Sequence, residues 1–425
     1  MRKVSIIGVG QTKYGNLKDK TLRDLIAEAG CKAIEEANIK KNKIEAFYFG
    51  NYDAVSFIKQ NHLAPYGAGA IGLKYIPCIH VEGACCSGAL ALREGMIAIA
   101  AGLYDIVLVT GAEKMNTRST EDVTEVLAQA GDYETELLAG ATFPSAFGMI
   151  ARRHMYQYGT KREHLAAVAV KNHSNGAKNP DAHMQKEISF ETVMGCDRMV
   201  ADPLTIYDCS LISDGASAVV LCATELASSF SKKPVHILSI GQASDSFSIH
   251  LKNDITTFDA TVKAANQAYK IAGLKPSEID VAEVHDCFTI AEIIAIEDLG
   301  FVKKGEGGEA SFSGLTSLCG DIPVNPSGGL KSKGHPVGAT GVGQIVEIVR
   351  QIRNEAGLRQ VKEAETGLAH NFGGSGATAV VTILGKSTHS TPRLKSRGLL
   401  RIGHSAERSR SHTERSRSIK LNLTN

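Results

Sequence analysis

Short, unbroken apolar runs alternate along the chain with longer stretches in which apolar residues recur every three or four positions. Runs such as Val4 to Gly8, Ile106 to Thr110 and Ala216 to Leu221 have the continuous aliphatic character of strands covered on both faces, and the periodic stretches between them predict amphipathic helices. Gly88 to Ala112 predicts a buried helix followed by a buried strand, because Arg93, Glu94 and Asp105 interrupt it too often for a membrane span. The alternation predicts an α/β protein.

The pattern also repeats. Leu25 to Gly50 carries Ala29, Ala33, Ala37-Asn38-Ile39 and Ile44 in the register in which Val262 to His285 carries Ala264, Ala268, Ala272-Gly273-Leu274 and Ile279. Both stretches read helix, turn, strand. A second match pairs Asp214 to Leu221 with Ser375 to Thr382, each a glycine turn entering an apolar strand, and strands at Val4 to Gly8 and Val235 to Gly241 open the two halves. Two βα halves are therefore expected over residues 1–230 and 231–385. The first is longer because a polar segment, about 113–204, is inserted, and it is expected to form a helical loop domain over the site.

Composition refines this picture. The 425 residues are 43% hydrophobic and 22% charged, with formal net charge +2, which fits a globular chain and gives no global reason to expect nucleic acid or an acidic membrane as partner. The neutrality is an accident of addition. Residues 386–425 hold ten Lys/Arg and two Asp/Glu, net +8, leaving 37 against 43, net −6, for residues 1–385. That basic Ser/Arg-rich tail repeats Glu407-Arg408-Ser409-Arg410-Ser411 as Glu414-Arg415-Ser416-Arg417-Ser418 and is expected to be disordered. Nine cysteines without a C-x-x-C pair read as reduced thiols in the cytoplasm, and the apolar run after Met1 is too short for a secretory signal.

Four segments carry candidate chemistry. Cys85 lies in Val81-Glu82-Gly83-Ala84-Cys85-Cys86-Ser87-Gly88, where a strand gives way to a small-residue helix whose free N–H groups and dipole favour a thiolate. Read alone, Cys85 and Cys86 serve equally well as small buried hydrophobes. His335 lies between Gly334 and Pro336 in a glycine-rich loop that also opens a helix. By the repeat, that loop is the counterpart of the Cys85 loop, so a base is expected beside a nucleophile. His285-Asp286-Cys287-Phe288 follows an apolar strand at its carboxyl end, where α/β sites collect. His370-Asn371-Phe372-Gly373-Gly374 is a glycine turn whose amides are candidates for holding an oxyanion. Gly8-Val9-Gly10 lacks the third glycine of a dinucleotide fingerprint, and Gly329 to Gly334 is followed by His, so nucleotide-cofactor readings fail.

Together, C-x-S-G at Cys85 to Gly88, G-H-P-x-G at Gly334 to Gly338 and the ordered repeat resemble the thiolase family over residues 1–385. H-D-C-F at His285 to Phe288 resembles the sterol-carrier-protein-type and archaeal-type branch. Where the commoner branch carries a C-x-G cysteine, this chain reads His370-Asn371-Phe372. The resemblance implies a thiolase fold, two βα halves forming a five-layer αβαβα core with an inserted loop domain. It implies an acyltransferase that condenses two acetyl-CoA to acetoacetyl-CoA, with Cys85 as nucleophile, His335 as its base and Cys287 as the second acid/base. His285 and His335 would hold the enolate oxygen, and the Cys85 N–H and the turn at Asn371, Phe372 and Gly373 the tetrahedral oxyanion.

No metal and no cofactor beyond the coenzyme A thioester substrates is implied. Coenzyme A is expected against the inserted segment, its phosphate partners unassigned among Arg152, Arg153, Lys171 and the other basic residues there. The implied partners are a second copy or more of the chain (homodimer or homotetramer) and a complex with hydroxymethylglutaryl-CoA synthase bridged by a zinc-ribbon/OB-fold protein, serving isoprenoid synthesis. Two alternatives stand beside this reading: degradative thiolysis of longer or branched 3-ketoacyl-CoA, and a non-catalytic carrier or scaffold.

Overall fold

In a computed structural model, residues 1–388 are described. The expected disorder of the tail therefore falls, from residue 389 on, outside the described residues.

The strands are β1 (Val4–Gln11), β2 (Ala46–Gly50), β3 (Cys78–Val81), β4 (Ile106–Glu113), β5 (Met199–Ala201), β6 (Leu204–Thr205), β7 (Gly215–Ala223), β8 (Val235–Ser244), β9 (Val281–Glu283), β10 (Thr366–Gly373) and β11 (Thr378–Gly385). All but β5 and β6 join one mixed sheet in the order β3-β2-β4-β7-β1-β8-β11-β10-β9. Its halves meet where Val4, Ser5 and Ile6 of β1 pair antiparallel with Ile237, His236 and Val235 of β8. The two repeats thus share a continuous ladder.

Alternate side chains of these strands face different helices, as the period of two requires. On one outer face, Phe47 and Phe49 of β2 and Val220 of β7 pack against Leu22, Leu25, Ile26 and Ala29 of the Leu22–Glu36 helix. On the other, Val381 and Ile383 of β11 pack against Ala264, Ala265 and Ala268 of the Asp259–Ala272 helix. Between the two β layers lie the Ser87–Ala100 and Val337–Arg353 helices, whose Leu92, Ile99, Val342 and Val346 meet Val107, Val109 and Leu221 on one side and Val380 and Leu384 on the other. The result is the αβαβα layering that the resemblance implies, with the two β layers being halves of one nine-stranded sheet.

The two central helices approach backbone to backbone at their starts. A Cβ on Gly88 would lie 2.7 Å from the Gly338 carbonyl, and one on Gly341 would lie 2.4 Å from the Ala89 nitrogen. Only glycine lets the Cys85 and His335 loops come this close. The inserted segment between β4 and β7 contributes the helices Thr120–Ala128, Phe143–Tyr158 and Arg162–Ala177 and the β5–β6 hairpin. Phe147, Ile150, Leu165 and Val168 anchor it in the same core as the second half.

Candidate active site

Cys85 sits in a single 3-10 turn, Ala84–Cys86, that leads directly into the Ser87–Ala100 helix. The turn is held by hydrogen bonds from the Gly83 N–H to Ser87 Oγ (3.0 Å) and from Ser87 Oγ to the Ala84 carbonyl (2.6 Å). Ala84 has φ +52°, a left-handed conformation unusual for alanine, so the nucleophile turn stores backbone strain.

Across the helix crossing, the His335 N–H donates to the Leu211 carbonyl (3.3 Å), and His335 Nδ1 lies 2.7 Å from Thr340 Oγ1. Thr340 uses its one hydroxyl proton on the Pro336 carbonyl (3.1 Å), so it accepts from Nδ1–H. This network assigns His335 the tautomer with a free lone pair on Nε2, which is the form a base needs.

His285 receives the complementary assignment. Asn371 Nδ2 donates to His285 Nδ1 (2.8 Å), which puts the ring proton on Nε2. That buried Nε2 has no hydrogen-bond partner. The ring stands edge-on to His335 (centroids 5.0 Å apart) and against Phe372 (4.2 Å). One sulfur or nitrogen from each of Cys85, His285 and His335 lies within 4.8 Å of the other two. All three line a cavity of about 330 Å³ with Cys287, Phe288 and Gly374. The insertion contributes a mainly apolar wall, with Leu127, Phe143 and Phe147 beside Thr120 and Thr124, and Met115 follows β4.

Burial governs the charge states. It pushes the Cys85 thiol up to about 12, against a lowering from the Gly374 N–H. Burial likewise takes His335 down to about 3 and His285 well below its ordinary value, the latter helped by the neighbouring His335 and His370. Cys287 is pushed well above the ordinary thiol range by burial, with Cys85 and Asp286 adding to it. The resting site is therefore uncharged.

The structure brings Cys85, His285, Cys287 and His335 together and redistributes the other expected site residues. Phe372 is fully buried in an aromatic cluster with Phe147, Phe258 and His285, and Gly373 remains in the β10–β11 ladder. The turn amide facing Cys85 belongs instead to Gly374, whose φ of +61° turns the chain out of the strand. Asn371 serves not as an oxyanion donor but as the orienting partner of His285. Asp286 points away from the cavity, accepting from the Leu330 and Lys331 N–H groups (2.7 and 3.3 Å) and from Asn172 Nδ2 (2.7 Å). It ties the Cys287 turn to the loop that carries His335.

The three basic residues considered for phosphate are all engaged. Lys171 is nearly buried and paired with Glu292 (3.0 Å), Arg152 is paired with Asp202, and Arg153 donates to Gln157 (3.1 Å). Thr340 and Glu113 were missed by sequence reasoning. Thr340 stands five positions after His335, a spacing that signals nothing by itself. Glu113 is an acidic residue at the end of an apolar strand, a place where a buried carboxylate needs partners; it accepts from the N–H groups of Tyr52 (2.9 Å) and Gly338 (3.1 Å) and from Asn51 Nδ2 (2.7 Å).

Comparison with known proteins gives this geometry a lineage. The thiolase N-terminal domain model matches residues 4–225, and the thiolase C-terminal domain-like model matches residues 241–386. An acetyl-CoA acetyltransferase of Methanothermobacter thermautotrophicus is 52% identical over 386 residues, covering 91% of this chain and all of that protein. Human sterol carrier protein 2 is 35% identical over 89% of this chain and 71% of its own length. Among solved structures, an Ltp2-ChsH2(DUF35) aldolase gives a TM-score of 0.77 at 25% identity, covering 90% of this chain and 97% of that one. Human mitochondrial 3-ketoacyl-CoA thiolase in complex with CoA gives 0.72 at 18% identity over 91% and 98%, a likeness of fold. Matched in both halves of its internal repeat, the chain belongs to the thiolase family.

Proposed function

We propose that this protein is an acetyl-CoA C-acetyltransferase that joins two acetyl-CoA molecules into acetoacetyl-CoA and free coenzyme A. The observation that carries the reading is the convergence of a thiol, a lone-pair imidazole nitrogen and an unpartnered imidazole N–H in one cavity. The 52% identity to an acetyl-CoA acetyltransferase supports the choice of acyl group.

The chemistry runs in two half-reactions. His335 Nε2 takes the Cys85 proton as the sulfur attacks the thioester carbonyl, and the N–H groups of Cys85 and Gly374 hold the oxyanion. Such preorganised donors are worth about 2.7–4 kcal/mol each when removed. The departing coenzyme A thiolate takes the proton of Cys287 and leaves as thiol. A second acetyl-CoA then gives an α-proton to the Cys287 thiolate, while its enolate oxygen accepts from His285 Nε2–H and from the protonated His335. The carbanion attacks the acetyl carbonyl on Cys85, the C–S bond breaks, and the Cys85 sulfur recovers its proton from His335. All protons return to their starting groups.

The coenzyme A arm is assigned to the adjoining groove of about 650 Å³, which shares Phe143 with the cavity and is edged by Ile249, His250 and Lys252. No metal or organic cofactor has a step here. The nine free cysteines favour a reducing compartment, the cytoplasm, and among the described residues no helix is long and apolar enough to cross a membrane. Strand β3 pairs on one edge only and exposes Ile79, which suits it to a second copy of the chain in a homodimer or homotetramer. A second, different chain as partner is supported by the structurally similar aldolase, whose name joins two components, Ltp2 and ChsH2(DUF35); that such a partner is a zinc-ribbon/OB-fold protein rests on the branch resemblance. The further link to hydroxymethylglutaryl-CoA synthase and isoprenoid synthesis is an inference from branch resemblance.

The test separates the half-reactions. Cys287→Ser is expected to form acetyl-Cys85 yet lose exchange of the α-protons of acetyl-CoA with solvent; exchange at the wild-type rate would remove Cys287 from the role of base. A second reading, thiolysis of longer 3-ketoacyl-CoA, is favoured by the apolar cavity wall of Met115, Leu127 and Ile212. Rates that rise with acyl length would select it.

A further inference from the structure

We propose that Cys85, His285 and His335 form a binding site for a soft divalent cation, with Zn²⁺ as its natural probe, and that occupation of this site blocks the nucleophile reversibly. The proposal rests on the reading of these residues as the reacting centre and adds a ligand class to it.

The donor set is one thiol and two imidazoles, the ligands that zinc prefers. Their ligand atoms lie within 4.8 Å of one another. Zinc bonds of about 2.0–2.3 Å place tetrahedral ligand atoms about 3.3–3.8 Å apart, so closure needs a shift of about 1–1.5 Å at most. Rotation of the Cys85 side chain, which borders the cavity and is not locked by a side-chain hydrogen bond to a protein carbonyl as Cys86 is, supplies it. To ligate, each imidazole must present a ring nitrogen with a free lone pair. His335 is already oriented for it, since Thr340 holds Nδ1 and leaves Nε2 free.

His285 adds the second, independent observation. Its Nε2 is fully buried and has no partner, and neither has Asn371 Oδ1. Turning the Asn371 amide over places Oδ1 against Nδ1, moves the ring proton to Nδ1 and exposes the Nε2 lone pair. The same histidine then offers a donor to an enolate in one tautomer and a ligand to a cation in the other. As the S–Zn bond forms, the Cys85 thiol proton passes to buffer. The fourth coordination position opens on the cavity and takes water.

Competition of the full-length protein with a chromogenic chelator for Zn²⁺ tests this without any turnover. One equivalent is expected to bind tightly and to protect Cys85 from iodoacetamide. Cys85→Ser and His335→Gln, each checked by its melting curve, are expected to weaken binding at least tenfold. Cys319→Ser, at an exposed thiol that does not line the cavity, is expected to leave it unchanged. Wild-type affinity in a folded Cys85→Ser or His335→Gln variant, or an equal loss in Cys319→Ser, overturns the proposal. Because binding is read directly, failure here leaves acetyl transfer standing, and failure of acetyl transfer leaves the cation site standing.

Discussion

Burial holds the Cys85 thiol near 12 and His335 near 3, so the pair rests uncharged and the proton moves only as the sulfur attacks. A base that stays unprotonated down to about pH 3 gives no acid limb at the ordinary imidazole value of about 6.5. The rate of acetyl-Cys85 formation is therefore expected to stay flat from pH 8 to the pH at which the protein unfolds, and an acid limb near 6.5 in folded enzyme would contradict the charge assignment. The stability consequence has the opposite emphasis. The unfolded histidines bind protons below about 6.5 while His335 and His370 do not until about 3, so their burial makes the fold weaken as pH falls through that window. Thr340 fixes the tautomer, and Thr340→Val is expected to slow acylation by at least about tenfold, measured by single-turnover mass analysis, and to cost about 1–3 kcal/mol of stability because the buried Nδ1–H loses its acceptor. Cys85, His285, Cys287 and His335 were legible because reactive side chains stood beside glycine turns at strand and helix ends. Gly374 was not legible among neighbouring glycines, since which amide faces the thiol depends on where positive φ begins.

At the scale of elements, the decisive contact is the crossing of the Ser87–Ala100 and Val337–Arg353 helices. Gly88→Ala would push a methyl group to 2.7 Å from the Gly338 carbonyl, backbone against backbone, with no flexible side chain to yield. A cost of about 1–3 kcal/mol is expected, together with a larger loss of acylation rate, because the two loops carrying thiol and base ride on those helices. Chemical denaturation and single-turnover acylation on the same variant check both halves of the statement; an unchanged acylation rate would show that the crossing does not set the distance. The internal repeat made this crossing predictable, since it equated the Cys85 and His335 loops. The insertion was legible only as helical. Its Lys171, Arg152 and Arg153 read alike as charges in sequence, yet each is committed to a tertiary or local partner that sequence spacing does not reveal.

Across the whole molecule, the two halves are coupled by the β1–β8 ladder and by Glu113, which ends β4 of the first half and receives the Gly338 N–H of the second. Glu113→Ala leaves those buried donors without an acceptor and is expected to cost about 2–4 kcal/mol in reversible unfolding. A change under about 0.5 kcal/mol would mean that Glu113 does not help to hold the halves together. The claim on which everything else depends is that Cys85 carries the acyl group. Intact-mass analysis after incubation with acetyl-CoA tests it most directly. The wild type is expected to gain one acetyl group on the peptide containing Cys85 and Cys85→Ala to gain none; an unmodified wild type, or equal labelling of the variant, would contradict it.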